Sequence, residues 1–423
     1  VREYKPACQE GPGTKYRNGV LGLLSLLLVI TYLDRVCISV AGPRMQEALH
    51  IGPVAWGWVT GVFAFAYAVF EIPTGALGDR IGPRRVLTRI VLWWSAFTSL
   101  TGAVTGYYPL LATRFFFGMG EAGAFPNASV AVARWFPVRE RGRAFGIILM
   151  ASQLGGAIAP LLVVPIQVHY GWRASFYAFG SLGVIWSVVW YRWFRDSPAE
   201  KPGITQVELE ETRHLVAKAD HGLPWKIALR SANLWALMAV AFCYFYAIFF
   251  FQSWFHTYLV KGRGYGESDL LLSTLPYLVA ACANGCGGVA SNALVRRLGL
   301  KWGRRSIGLV GMGSAAMFTV AVLLTKGRFL ALIFLSLLCG GVTLQQPAAC
   351  AVGLDIGGEY AGEVIGAFNT ASQVGSLVSS VAFGYLVNRY GNYNAPFIPM
   401  AALLGIGTLL WLKIDPTREL IRR

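Results

Sequence analysis

Long apolar runs separated by short polar breaks repeat along the whole chain. Runs of about 18 to 25 residues, enough for a helix to cross roughly 30 Å of hydrocarbon, fall near 18–41, 55–77, 86–104, 108–132, 143–167, 172–194, 233–260, 269–294, 306–325, 328–352, 363–388 and 395–414. The period-2 alternation of a barrel strand is absent, and in lipid only helices and closed barrels satisfy their own backbone. The pattern therefore predicts an all-α membrane protein with twelve transmembrane helices. One long polar connection, 195–232, splits it into an N-tail (1–17), a six-helix bundle (18–194), the linker (195–232), a second six-helix bundle (233–414) and a C-tail (415–423). A short amphipathic helix is expected within the linker, around 204–217.

Composition agrees. The 423 residues are 55% hydrophobic and 14% charged, with a mean hydropathy of +0.51, too apolar for an ordinary soluble chain. A net charge of +16 raises the question of nucleic acid, but the basic residues cluster between apolar runs rather than on one face, which is the signature of membrane topology. With the N-terminus inside, 28 Lys and Arg fall on the inner side and 7 on the outer, Arg35 and Arg114 being left within spans. Both termini are thus expected in the cytoplasm. The partner is the lipid bilayer, with no nucleic acid, and a monomer is expected. The apolar stretch after the N-tail lacks a small-residue cleavage site and reads as an uncleaved first helix.

Seven cysteines are scattered with no CxxC or Cys/His ligand spacing, so no metal site and no cofactor is expected. Cys282 and Cys286, one turn apart among Ala and Gly, suggest tight helix packing. So do the glycines within spans, Gly118, Gly120 and Gly123, Gly155 and Gly156, and Gly285, Gly287 and Gly288.

The halves echo each other. "GRAFGIILMASQLGG" at 142–156 aligns with "GEVIGAFNTASQVGS" at 362–376, an offset of 220, and "GDRIG" at 78–82 with "VRRLG" at 295–299, an offset of 217. Duplicated six-helix halves place a substrate site at the midplane between them.

"GALGDRIGPRR" at 75–85 resembles the G-x-x-x-D-[RK]-x-G-x-[RK]-[RK] loop signature of the major facilitator superfamily, with a weaker copy, "RRLGLKWGRR", in the second half. "YLDR", "FEIPTGALGDR" and "RFFFGMGEAGAFPN" in spans one, two and four are similar to the anion:cation symporter branch, which includes galactonate, hexuronate and glucarate transporters and vesicular glutamate and sialic acid carriers. The resemblance implies two pseudo-symmetric six-helix bundles in the major facilitator fold. It also implies proton-coupled import of a small organic anion, a sugar acid of the galactonate, hexuronate or glucarate type, by alternating access. In a bacterium the location would be the inner membrane.

The intramembrane charges fit that expectation. Arg114 and Glu121 lie two turns apart on one face of span four, whereas Asp34 and Arg35 in span one point about 100° apart. Buried charges cost several kcal/mol unless paired or facing a wet cavity, so the four are expected to share one cavity. Ordinary ion pairing within the first half is the bland alternative. In the functional reading Arg35 and Arg114 bind the substrate carboxylate through guanidinium forks, with Tyr32 beside them. Asp34 and Glu121 are the proton-coupling acids, since protonating either leaves a net positive site for an anion.

Tyr67 matches a site-lining tyrosine of the relatives. Glu71, one turn on, departs from their usual Gln and reads as a third titrating group or a partner of inner-loop arginines, the latter being favoured. In the second half Gln345, Gln346, Asn369 and Ser372 are the candidates for substrate hydroxyls, chosen among uncharged polar positions that also include Tyr244, Gln252 and Gln373. His256 reads as a residue of the outer membrane interface. A conformational latch is expected from Gly75, Asp79, Arg80, Gly82, Arg84 and Arg85 with Arg134, Glu140 and Arg143 of the next inner loop.

Two other classes stand beside symport. One is a proton-independent facilitator or exchanger of organic anions such as dicarboxylates, glutamate or sialic acid. The other is a membrane enzyme or sensor, disfavoured because no Ser/His/Asp arrangement, metal cluster or Walker loop appears, so the chain is not expected to be an enzyme.

Overall fold

The structure, a computed structural model, describes residues 15–201, 224–266 and 268–420. The expected helix at 204–217 and the side chain of Asp79 lie outside the described residues. Among the described residues, thirteen long helices cover the twelve predicted spans. These are α1 (Lys15–Ala48), α2 (Pro53–Ile81), α3 (Pro83–Ala103), α4 (Tyr107–Glu121), α5 (Ala124–Trp135), α6 (Val138–Tyr170) and α7 (Trp172–Trp193) in the first half. The second half has α8 (Ala232–Ser253), α9 (Thr274–Leu324), α10 (Arg328–Leu344), α11 (Gln346–Gly357), α12 (Ala361–Tyr390) and α13 (Phe397–Trp411). The chain is a multi-pass membrane protein; among the described residues seven helical runs are long and apolar enough to cross a bilayer unaided.

Local chemistry accounts for the starts and breaks. Gly-Pro steps open α2 and α3, where proline's missing N–H costs nothing. The fourth and tenth spans, expected as continuous helices, are each broken, at Ala122–Gly123 and at Gln345. Pro126 and Pro347 stand just beyond the two breaks and cannot donate to the carbonyl four residues earlier. α9 carries two predicted spans, bent where Gly299 takes φ 77° and ψ 168°. Gly82, its counterpart in the repeat, takes φ 87° and ψ 145°, so the duplication is visible in backbone conformation as well as in sequence.

In the first half α1 packs on α6, α3 on α7 and α2 on α4; in the second α9 packs on α10 and α13, and α8 on α12 and α13. The halves meet where α2 lies along α12 and α6 along α9. Glycine makes that approach possible. A Cβ on Gly57 would sit 2.7 Å from the Ser380 carbonyl, and one on Gly384 2.4 Å from the Pro53 carbonyl. Thr60 and Ser380 hydrogen-bond at the same place. Cys282 and Cys286 are exposed, contrary to the tight packing expected of them; Gly287, against the Leu344 carbonyl, is the residue of that stretch that admits a neighbouring helix.

The contacts between halves gather toward the face opposite the termini. His256, expected at the membrane interface, is fully buried. Its Nδ1 pairs with Ser39 Oγ of α1 at 2.9 Å and its Nε2 with Ser273 Oγ at 2.8 Å. It follows directly on a helix break after Ser253. Gln46 Nε2 donates to Thr257 Oγ1 at 2.8 Å, and Trp56 Nε1 to the Ser253 carbonyl at 3.3 Å.

Candidate functional site

Just beneath that closure, α1, α2, α4 and α8 enclose a small pocket lined by Arg35, Ile38, Thr60, Phe63, Arg114, Phe249 and Gln252. Four-residue spacing places Phe63, Tyr67 and Glu71 on one face of α2, and this face turns toward Arg35. The Arg35 guanidinium carbon lies 5.5 Å from the Tyr32 ring, 5.3 Å from Phe63 and 5.0 Å from Tyr67. Arg114 sits 5.2 Å from Phe63 and 4.5 Å from Phe117. Phe63 is therefore a shared aromatic wall between two cations, each held by cation–π attraction in a desolvated setting.

The acids complete the cluster. Arg35 Nε forms an ion pair with Glu121 Oε1. Glu121 closes α4 at the helix break, with its second oxygen unpartnered. Asp34 is 2% exposed, with the Trp94 indole N–H facing its carboxylate; Arg114 is 3% exposed with Nε unpartnered. Asp34 lies in the field of both Arg114 and Glu121. Tyr32, Asp34, Arg35, Tyr67, Arg114 and Glu121 are thus brought together. The cluster holds open hydrogen-bonding capacity on two acids and one base, a costly arrangement for a site that only stabilises the fold.

The second half contributes differently from expectation. Ser372 donates to the Phe368 carbonyl at 2.8 Å, so its hydroxyl is occupied by its own helix, a common fate of helical serine. Gln345 sits at the helix break, fully buried, its Cβ close to Gly311. Gln346 Oε1 accepts from Asn284 Nδ2 at 2.9 Å. Neither glutamine is among the residues lining the pocket. Asn369 does reach the site region, donating to Glu71 Oε1 at 3.3 Å. Glu71, favoured as a partner of inner-loop arginines, is buried, and the charge acting on it is Arg35. Sequence reasoning passed over Phe63, Phe117 and Phe249, although the spacing of Phe63 to Tyr67 carried the signal for the first.

On the termini face, the loop residues converge on an acid that sequence reasoning left in the solvated linker. The Arg84 backbone N–H donates to Asp196 Oδ1 at 2.9 Å, and Arg134 Nη1 approaches the same oxygen at 3.8 Å. The Arg84 guanidinium donates to the Tyr191 carbonyl. Gly82 lies against the Asp196 carboxylate and Gly75 against Pro126. Glu140 pairs with Arg17 of α1 at 3.2 Å. Arg80, Arg85 and Arg143 are exposed.

A buried ionisable cluster in one helical half, facing a pocket closed by a helix of the other, is the anatomy of a membrane transporter, not of an enzyme. The Major Facilitator Superfamily model matches residues 24–380, and the chain belongs to that superfamily, among relatives of the anion:cation symporter branch. It is 37% identical over 408 residues to the probable sulfoacetate transporter SauU of Cupriavidus necator, covering 95% of this chain and 94% of that one. It is 28% identical to the probable galactarate/D-glucarate transporter GudP of Bacillus subtilis, covering 99% and 96%. Among solved structures, a bacterial homolog of the human lysosomal transporter Spinster superposes with a TM-score of 0.76 at 19% identity, covering 95% of this chain and 97% of that one; this likeness concerns the fold.

Proposed function

We propose that the protein is a proton-coupled symporter of a small organic anion, working by alternating access as a single chain with both termini in the cytoplasm of a bacterium. The halves 18–194 and 233–414 are the rocking bodies, joined by the linker 195–232. Arg35 and Arg114 take the anion; Asp34 and Glu121 take protons; Tyr32 and Tyr67 flank the bound group. The observation that carries this reading is the Arg35–Glu121 pair beside Asp34, a buried carboxylate, and Arg114, whose buried Nε is unpartnered. An anion arriving at Arg35 competes with Glu121, and the displaced carboxylate, buried and without its cation, is stabilised by a proton. Anion and proton then favour each other's binding, the thermodynamic basis of symport.

A sugar acid is the substrate class suggested by the sequence motifs. A second reading, a short anion with few hydroxyls, rests on the pocket lining, where Gln252 and Thr60 are the uncharged polar side chains beside Ile38, Phe63 and Phe249. The similarity to a sulfoacetate transporter supports it.

Reconstituted vesicles test both readings. Sulfoacetate, galactarate, D-glucarate and a hexuronate are offered with and without an inward proton gradient, to the wild type and to Glu121→Gln. One anion should accumulate with the gradient in the wild type, while the variant retains exchange but loses gradient-driven uptake. Uptake that only equilibrates the anion and is indifferent to a protonophore would leave the facilitator reading in place of symport.

A further inference from the structure

Glu71 is a buried acid for which the symport reading has no use. It projects from α2 one turn beyond Tyr67, is 8% exposed, and holds Asn369 of α12 across the interface between halves. The charged and titratable groups facing it are Arg35 from α1 and Tyr67 on its own helix, with Glu121 of α4 beyond Tyr67; α12 presents the uncharged Asn369. Counted with Asp34 and Glu121, it makes three carboxylates against two guanidinium groups. A cluster that would balance at zero without Glu71 carries a surplus negative charge with it, and a buried surplus charge is costly.

We propose that Glu71 is an internal competitor for Arg35 and a third proton-binding acid, making anion binding in this protein depend on one proton more than Asp34 and Glu121 supply. Before an anion binds, the field of Arg35 and the hydrogen bond from Asn369 offset that cost and keep the Glu71 carboxylate ionised. An anion that takes over Arg35 leaves Glu71 facing a negative charge at the same cation. Glu71 then binds a proton, and the neutral acid has an O–H to donate toward the anion. The Asn369 bridge places this step at the interface between halves, where α2 meets α12. The inference rests on the symport reading and refines it.

The test counts protons taken up per anion bound, by calorimetry in buffers of differing ionisation enthalpy, with sulfoacetate and D-glucarate as probes. Glu71→Gln keeps an acceptor for Asn369 but removes the charge. It should take up one proton fewer than wild type and bind about tenfold tighter at alkaline pH, converging with wild type at acidic pH. Asn369→Ala, which loses the bridge and keeps the acid, should leave the proton count unchanged. The infrared difference spectrum of the wild type supplies a second readout: a protonated-carboxyl band should appear on anion binding and shift in Glu71→Asp. An unchanged proton count in Glu71→Gln, or a band that ignores Glu71→Asp, overturns the role of Glu71 while symport stands. A wild type that binds neither probe, or binds without proton uptake, overturns the symport reading and this inference with it.

Discussion

Asp196 and Asp415 occupy equivalent places at the ends of the two halves. Asp196 accepts the Arg84 backbone N–H at 2.9 Å, and Asp415 Oδ2 pairs with Lys301 Nζ at 2.9 Å. Arg84 stands two residues past Gly82 and Lys301 two past Gly299, the paired glycines whose positive φ turns the chain into the third and ninth spans. Each aspartate therefore ties the last span of its half to the loop that opens the third span of that half.

Removing these ties separates stability from transport. Asp196→Ala abolishes a helix-start acceptor and the Arg134 ion pair, and should cost about 1–2 kcal/mol of stability. Turnover should fall while anion affinity is largely kept; lost affinity with normal turnover would contradict a latch role. For Asp415, the Thr417 hydroxyl at 2.6 Å and then Lys301 pull the carboxyl down to about 2. The lowered value means its stabilisation is complete above the ordinary aspartate value of about 3.9 and is lost as pH falls through about 2. Thermal unfolding followed from pH 5 to pH 2 should show a loss in the wild type that is reduced in Asp415→Asn.

Arg35 reads as an anion fork rather than a mere positive charge. Three aromatic rings within 5.5 Å and a bond from Nε to Glu121 fix a planar group at the pocket wall, matched in shape to a two-oxygen ligand. Arg35→Lys keeps the charge and loses the plane, so it should weaken anion binding by about tenfold or more with only a small fall in melting temperature. Equilibrium binding alongside thermal unfolding checks this. Affinity equal to wild type would show that charge alone suffices.

How much of this was legible in the sequence varied with how local the signal was. Spans and repeat were legible because apolar run length and offset are properties of the chain itself. The Arg35, Arg114, Asp34 and Glu121 cluster was legible because buried charges have few affordable surroundings in a membrane. The second half was less so. Whether Gln345, Gln346 or Gln252 faces the pocket depends on the rotation of helices about their axes, and the break before Pro347 resets that rotation within one span. Ser372 looked available and is bound to its own backbone. Asp196 looked like one more solvated linker charge, and only the approach of α3 to the end of α7 gives it Arg84. Glu71 was misassigned because its distance along the chain to the loop arginines is short, whereas its side chain points across to Arg35.

His256 supplies the last prediction. It is buried without a carboxylate partner among its hydrogen bonds, which run to Ser39 on α1 and to Ser273 before α9. One side chain therefore fastens the first half to two segments of the second, on the face opposite the termini. His256→Ala removes two hydrogen bonds and leaves a void, at a cost of about 1–3 kcal/mol to the arrangement closed on that face. The alternative arrangement, in which that face opens, does not need these bonds and should gain population by roughly tenfold or more. Spin labels at the α1 and α8 ends of that face should report longer distances in His256→Ala than in wild type. His256→Asn, which retains one donor and one acceptor, should fall between the two. Identical distance distributions in all three proteins would mean that the closure rests on the glycine-mediated contacts of Gly57 and Gly384 instead.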